Sequence, residues 1–280
     1  MADVQTYRFN NDIENIEVSS YAAKILIQPH EAGEIYVEYN NPRDTPEFCA
    51  VLSGKTLTLK ENLSFSIFGA KPAEEYSIKL FLPAICYKKL KVNTASGGAV
   101  IENVTAEEFD LNTASGEINI NAFFNNVKVQ AASGSVTLNN PTDSIAQSLS
   151  VCTVSGSATV GNYKAEKFSL HSVSGKTRYD GAIGEGSVSV TSGSVEVTYA
   201  EWNADLNVSA ISGSVSAFFP EGAGLDINFS GMSGSLKTDI GNTRGQFMNL
   251  GRGTSGVFGG ENIHKLTISL TSGTVTAAQK

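Results

Sequence analysis

The chain is predicted to be an all-β protein, a parallel β-helix or β-solenoid of about ten coils behind a strand-rich N-terminal cap. Three observations predict it. A Ser-Gly pair recurs at nearly constant spacing, apolar and polar residues alternate with period two on both sides of each pair, and the composition suits many tight corners. The pairs are Ser96-Gly97, Ser115-Gly116, Ser133-Gly134, Ser155-Gly156, Ser174-Gly175, Ser192-Gly193, Ser212-Gly213, Ser233-Gly234, Ser255-Gly256 and Ser272-Gly273. Their steps of 19, 18, 22, 19, 18, 20, 21, 22 and 17 residues match one structural repeat. A repeat that short cannot bury a core alone, so neighbouring copies must stack.

Six and four residues before the Ser stand apolar pairs in nearly every copy: Leu90/Val92, Phe109/Leu111, Val127/Val129, Leu149/Val151, Phe168/Leu170, Leu206/Val208, Ile227/Phe229 and Leu266/Ile268. Three and five residues after it the alternation resumes, as in Ile118/Ile120, Val136/Leu138, Val195/Val197 and Val275/Ala277. Period two means strands with one buried and one wet face. Each repeat therefore reads as strand, Ser-Gly corner, strand and polar return loop. The glycine is expected to supply a positive φ, and the serine hydroxyl to bond backbone within its own turn. Equivalent strands run the same way and should pair in parallel. At about 4.8 Å per coil, ten coils give a rod on the order of 45 Å long.

The 280 residues, 41% hydrophobic, can bury a sizeable core, and 27 Gly against 7 Pro fits many corners. A net charge of -8 without a basic stripe argues against nucleic acid. The densest basic run, Lys88-Lys89-Leu90-Lys91, reads as a solvated strand edge that discourages aggregation. Cys49, Cys86 and Cys152 show neither a Cys-x-x-Cys pair nor histidine at ligand spacing, so neither a disulfide framework nor a zinc site is expected. No stretch approaches the roughly 20 apolar residues of a membrane span, and residues 1–30 lack signal-peptide features. On that reading the chain as written stays in the cytoplasm.

Residues 1–88 carry short alternating strands on a different beat, with a hairpin candidate across Pro29-His30-Glu31-Ala32-Gly33-Glu34, and are read as a β-rich cap. Residues 89–280 form the repeat region, with a degenerate, glycine-rich coil at 241–262. The strand-rich lead, a strand ending in Leu82-Pro83, and the corners Thr94-Ala95-Ser96-Gly97 and Thr113-Ala114-Ser115-Gly116 resemble the bacterial putative-adhesin β-solenoid domain family, a domain of unknown function. The resemblance runs from about Ile13 to the end of the sequence. It implies a β-solenoid with an adhesive or envelope-linked role, and supplies no catalytic or binding residue.

No catalytic constellation emerges. Arg178 and Glu196 are neighbours on an outward row and read as a cross-strand ion pair; His171 reads as one more rung of a polar row. No cofactor, calcium-roll or phosphate-loop motif is present. Two site candidates remain: an anion-accepting loop with Arg244 and Arg252, and a contact patch of Phe65, Ile67 and Phe68. The expected partners are a protein or cell-envelope component. Because the last repeat, Leu266 to Ala277, stops close to the final residue, its edge is expected to self-associate or accept a strand unless the glycine-rich segment covers it. The pattern reads as a non-enzymatic structural or adhesive module. The alternative is a carbohydrate-binding or carbohydrate-cleaving β-helix, for which Trp202, Tyr199 and Tyr179 are the aromatics to inspect.

Overall fold

A computed structural model describes residues 4–280 apart from 11, 41–46, 63–75, 241–242, 249–253 and 261. The fold is a β-solenoid, and the chain divides into two compact units, Met1–Thr142 and Asp143–Lys280.

The first unit contains β1 (Gln5–Asn10), β2 (Asn15–Ser20), β3 (Lys24–His30), β4 (Glu34–Asn40), β5 (Glu47–Ser53), β6 (Thr56–Asn62), β7 (Ser77–Pro83), β8 (Cys86–Thr94), β9 (Ala99–Thr113), β10 (Glu117–Ala131) and β11 (Ser135–Asn139). A coil is a pair of strands flanking a corner. The coil β2/β3 stacks in parallel on the coil formed by β8 and the start of β9. β9 and β10 each run through the return of one coil into the next, and pair with each other along nearly their whole length. The expected polar return loop is absent in β9, where the backbone bends at Asn103 with φ 53°.

Residues read as a cap hairpin are arranged otherwise. β3 and β4 do not pair. β7 lies between them, parallel to β3 and antiparallel to β4, because its buried row Ile78, Leu80 and Leu82 extends the core ladder of the coils. β6 likewise lies parallel to β2 on one side and antiparallel to β5 on the other. The chain's first coil is thus overlaid by the later coil β6/β7.

The second unit contains β12 (Ala146–Thr153), β13 (Ser157–Gly161), β14 (Ala165–Ser172), β15 (Lys176–Ala182), β16 (Glu185–Val190), β17 (Ser194–Tyr199), β18 (Leu206–Ala210), β19 (Ser214–Phe219), β20 (Ala223–Gly231), β21 (Ser235–Ile240), β22 (Thr243–Met248), β23 (Thr254–Gly259), β24 (Asn262–Leu270) and β25 (Thr274–Gln279). Coils stack in parallel from β12/β13 through β18/β19. The next rung is not β20/β21 but β24/β25, which pairs with β18/β19 on one side and β20/β21 on the other. The last repeat is therefore an interior rung, which corrects the expectation that it forms an open, self-associating edge. The described residues of the glycine-rich segment form strands: β22 and β23 run antiparallel along β21 and β20.

The core follows the predicted rows. Leu90, Val92, Phe109, Leu111, Leu206, Val208, Leu266 and Ile268 are all buried, as are the partners after each corner. The coil before Ser192 has Gly186 where the others carry an apolar side chain. The Phe168 ring covers the gap, and a Cβ on Gly186 would stand 2.3 Å from it.

The corners join by backbone bonds in constant offset. Ser115 N–H donates to the Ala95 carbonyl at 2.8 Å, Ser192 N–H to Val173 at 2.6 Å, and Ser272 N–H to Ile211 at 2.7 Å. Serine hydroxyls bond the neighbouring coil and not their own turn: Ser96 donates to Tyr21 O at 3.0 Å and Ser212 to Thr191 O at 3.2 Å. The turn itself is closed from inside by the residue two positions earlier, as Thr94 donates to Gly97 O and Ser172 to Gly175 O, both at 2.9 Å. Among the described corners only Gly116 has a φ in the positive range that disfavours side chains. The glycines are needed for space: a Cβ on Gly97, Gly175 or Gly273 would lie 2.2, 2.2 or 2.3 Å from a carbonyl oxygen of the adjacent corner.

Buried Glu61 of β6 holds the turn that follows β2. Its carboxylate accepts the Ser20 hydroxyl at 2.8 Å, the Tyr21 N–H at 2.7 Å and the Tyr76 hydroxyl. The Lys88 to Lys91 run also departs from expectation. β8 is an interior strand, and acids on both sides neutralise it: Lys88 pairs with Glu14 at 2.7 Å and Lys89 with Glu108 at 3.2 Å.

Two predictions follow from this packing, both read by urea denaturation. Gly175→Ala forces a methyl against backbone and should cost about 2 kcal/mol or more, whereas Gly33→Ala, with nothing within 4 Å, should stay within about 0.5 kcal/mol of the parent. Glu61→Ala leaves three donors without their acceptor and should cost about 3 kcal/mol or more.

Candidate interaction surface

In the Asp143–Lys280 unit the stacked corners bring six tripeptides into one strip. In spatial order these are Val154-Ser155-Gly156, Val173-Ser174-Gly175, Thr191-Ser192-Gly193, Ile211-Ser212-Gly213, Thr271-Ser272-Gly273 and Met232-Ser233-Gly234. The order reverses the chain at its end, because Ser272 N–H bonds Ile211 O and Ser233 N–H bonds Thr271 O. The first residue of each corner makes an apolar or methyl-bearing ridge, with Ile211 54% and Met232 74% exposed. The serines make a parallel, exposed hydroxyl ridge. Those of the last three corners donate to a carbonyl of the preceding corner, at 3.2 Å each, which leaves oxygen lone pairs facing solvent. No charged residue lies in the strip, although the chain carries 28 acids and 20 bases. Charges sit on the flat faces instead, where Arg178 pairs with Glu196 at 3.5 Å as their spacing predicts.

The inward row beside the corners is not a binding face. Thr94, Thr113, Thr153 and Ser172 are buried, and Thr153 bonds Ser172 at 3.3 Å and Thr177 at 3.2 Å inside the core.

The aromatics named for a carbohydrate platform are also internal. Tyr179, Tyr199 and Trp202 are buried. Trp202 packs edge-on against Tyr199, Phe219 and His264 and donates its indole N–H to Gly224 O at 2.8 Å. They form a core cluster because the return loop at 200–205 folds its one large ring inward against Tyr199 and Phe219. Tyr179 donates to Tyr163 O at 2.6 Å, while the buried Tyr199 hydroxyl has no partner. Burial foremost, aided by Tyr179 and Asp205, pushes the Tyr199 phenol well above its ordinary value. His264 stands 3.9 Å from Asp205, whose carboxylate accepts the Lys265 N–H at 2.9 Å, so this loop also anchors the start of β24.

Of the residues in the two site candidates, only Arg244 lies within the described residues. Arg244 lies on β22, opposite Asp239 of β21. Arg252, Phe65, Ile67 and Phe68 lie outside the described residues. Cys152 and His171 are register neighbours on the polar face, with Ser189 beyond them. Among the described residues no group of three or more His, Cys, Asp or Glu could hold a metal ion, and no helix is long and apolar enough to cross a membrane. Sequence alone marked every corner of the strip, but not that all six first residues share one uncharged surface. That signal was the recurring residue before each Ser-Gly, which is never charged.

Parallel coils joined at glycine corners, with an uncharged strip along those corners, define a β-solenoid with a surface built by repetition. The Toastrack family DUF4097, a domain of unknown function, matches residues 13–277, and the chain belongs to it. Two solved structures share the fold. One is a "putative adhesin" from Bacteroides fragilis, 12% identical, covering 98% of this chain and 97% of that one at a TM-score of 0.51. The other is a "putative lipid binding protein" from Parabacteroides distasonis, 15% identical, covering 98% and 96% at a TM-score of 0.59. Among curated proteins none matches the chain.

The aromatic cluster generates a paired prediction. Tyr199→Phe removes an unpartnered hydroxyl and should leave stability unchanged or raise it by up to about 1 kcal/mol, whereas Tyr179→Phe should lose about 1 kcal/mol. The Tyr199 phenol is raised in the fold, so its stabilising share is complete below the ordinary phenol value of about 10 and is lost as pH rises through the higher folded value. Thermal melts across alkaline pH should show a shallower loss in Tyr199→Phe than in the parent.

Proposed function

We propose that this protein is a non-enzymatic adhesive or structural interaction module, and that the corner strip of the Asp143–Lys280 unit is its contact face. The observation that carries the reading is the strip itself: exposed methyls of Val154, Ile211 and Met232 beside a row of serine hydroxyls, without a charge, on an acidic chain. Such a surface loses little hydration free energy when covered and repels no partner electrostatically. Its repeat of about 4.8 Å offers many weak contacts in register, which add through multivalency. A solved structure of the same fold is named a "putative adhesin", which supports the same reading, with a protein or cell-envelope component as partner. The burial of Tyr179, Tyr199 and Trp202 removes the aromatic support for carbohydrate stacking.

The test compares the parent with Ile211→Lys/Met232→Lys as coatings on fluorescent beads, scored for retention on immobilised bacterial cell-envelope preparations and on phosphatidylcholine vesicles. Both positions are solvent-exposed, so thermal melts should coincide while retention on envelope material falls several-fold. Equal retention of parent and variant would refute the strip as the contact face, and retention on vesicles alone would replace an adhesive partner with a lipid surface.

A further inference from the structure

The coils Leu206–Phe219 and Ala223–Ile240 are consecutive in the chain, yet β24/β25 separates them. Register carries straight through the inserted rung. Leu206 and Ile227 both stand opposite Leu266, Val208 and Phe229 both opposite Ile268, and Val215 and Leu236 both opposite Val275. The two flanking coils are therefore able to close on each other with the same apolar ladder and corner offset that join other consecutive coils. Departure of the rung need leave no unpaired parallel edge between them.

The slot is nonetheless shaped for this rung. In the buried row beside the corners, Leu270 stands opposite Ala210 on one side and Gly231 on the other, and a Cβ on Gly234 would lie 2.7 Å from the Leu270 Cβ. Two small neighbours accommodate one large side chain. The chain reaches the slot by crossing over the start of β20. Gly259 makes the crossing at φ 86°, and a Cβ on Gly260 would stand 2.1 Å from the Gly222 carbonyl oxygen.

We infer that residues 262–280 are an exchangeable rung, and that the partner is a second copy of this chain. The rung of one molecule fills the slot between β18/β19 and β20/β21 of the other, and the exchange is reciprocal. The chain beyond Gly259 then runs outward instead of doubling back across Gly222. Every ladder and corner bond of the monomer is remade in the dimer, so exchange conserves contacts and opens only the tight crossing. The inference is independent of the corner strip and of any ligand for it.

Ser209 and Ser269 are exposed register partners across β18 and β24, and parallel neighbours about 4.8 Å apart suit a disulfide. In a full-length chain with Cys49→Ser, Cys86→Ser and Cys152→Ser, one copy carries Ser209→Cys and a second carries Ser269→Cys. The two are mixed at high concentration, oxidised and analysed by mass spectrometry. A control mixture pairs Ser189→Cys with Ser209→Cys, register partners that no exchange of this rung separates. The expected result is a 209–269 linked heterodimer in the first mixture and none in the control. A chain carrying both Ser209→Cys and Ser269→Cys, oxidised while monomeric, ties the rung to its own slot and should then form no mixed dimer. Absence of the 209–269 product, its equal yield in the control, or dimers formed by the tied chain would each overturn the proposal.

Discussion

Everything in this molecule depends on how closely one corner can sit on the next. Successive corners meet backbone to backbone, with an N–H of each coil reaching a carbonyl of its neighbour at 2.6–3.1 Å along much of each unit. Only glycine leaves room there, since a Cβ at most corners would fall about as close to the adjacent carbonyl oxygen as a covalent neighbour's next atom. The close approach sets the register, and register decides which face is wet: a slip by one residue would expose every inward Val, Leu and Phe. The hydroxyls follow from the same geometry. Serine is pressed against the neighbouring corner, so it bonds outward along the stack, while the threonine or serine two positions earlier closes its own turn from inside.

A ladder of equivalent rungs has little means of distinguishing one neighbour from another, and both units exploit this. In the first, β6/β7 overlays the chain's first coil. In the second, the chain's last coil slides beneath β20/β21. In each, the outlying coil carries antiparallel strands on its far side: β5 and β4 in one, β23 and β22 in the other. An antiparallel strand stops further parallel growth and shields an edge that would template unwanted pairing. Where order must be enforced, specific groups do it. Glu61 supplies the acceptor for Ser20 and Tyr21 after β2, and Leu270 stands between the small residues Ala210 and Gly231.

The surface divides by the same logic. The flat faces carry paired charges, Lys88 and Lys89 with acids on neighbouring rungs and Arg178 with Glu196. Exposed pairs of this kind contribute little stability, but they do neutralise the faces and keep like charges apart. The corners carry no charged side chain, and what they present is an uncharged strip of methyls and hydroxyls.

The sequence by itself determined the repeat, the strand pairs, the inward rows and the Arg178–Glu196 pair, because each follows from spacing within about 20 residues. It also carried the family, through the lead strand ending at Leu82-Pro83 and the Thr-Ala-Ser-Gly corners. Only the tertiary structure decided which rung lies against which. Leu206 matches Leu266 and Ile227 equally well, so the insertion of β24/β25, the placement of β7 between β3 and β4, and the interior position of the lysine run were not legible. The role of the glycines was likewise decided in three dimensions. Positive φ is a local property that sequence can anticipate, whereas a backbone oxygen arriving 2.2 Å from an absent Cβ belongs to a neighbour about one coil away. Short-range pattern specifies the rung, and the order of identical rungs is settled by which long-range contacts exclude the rest.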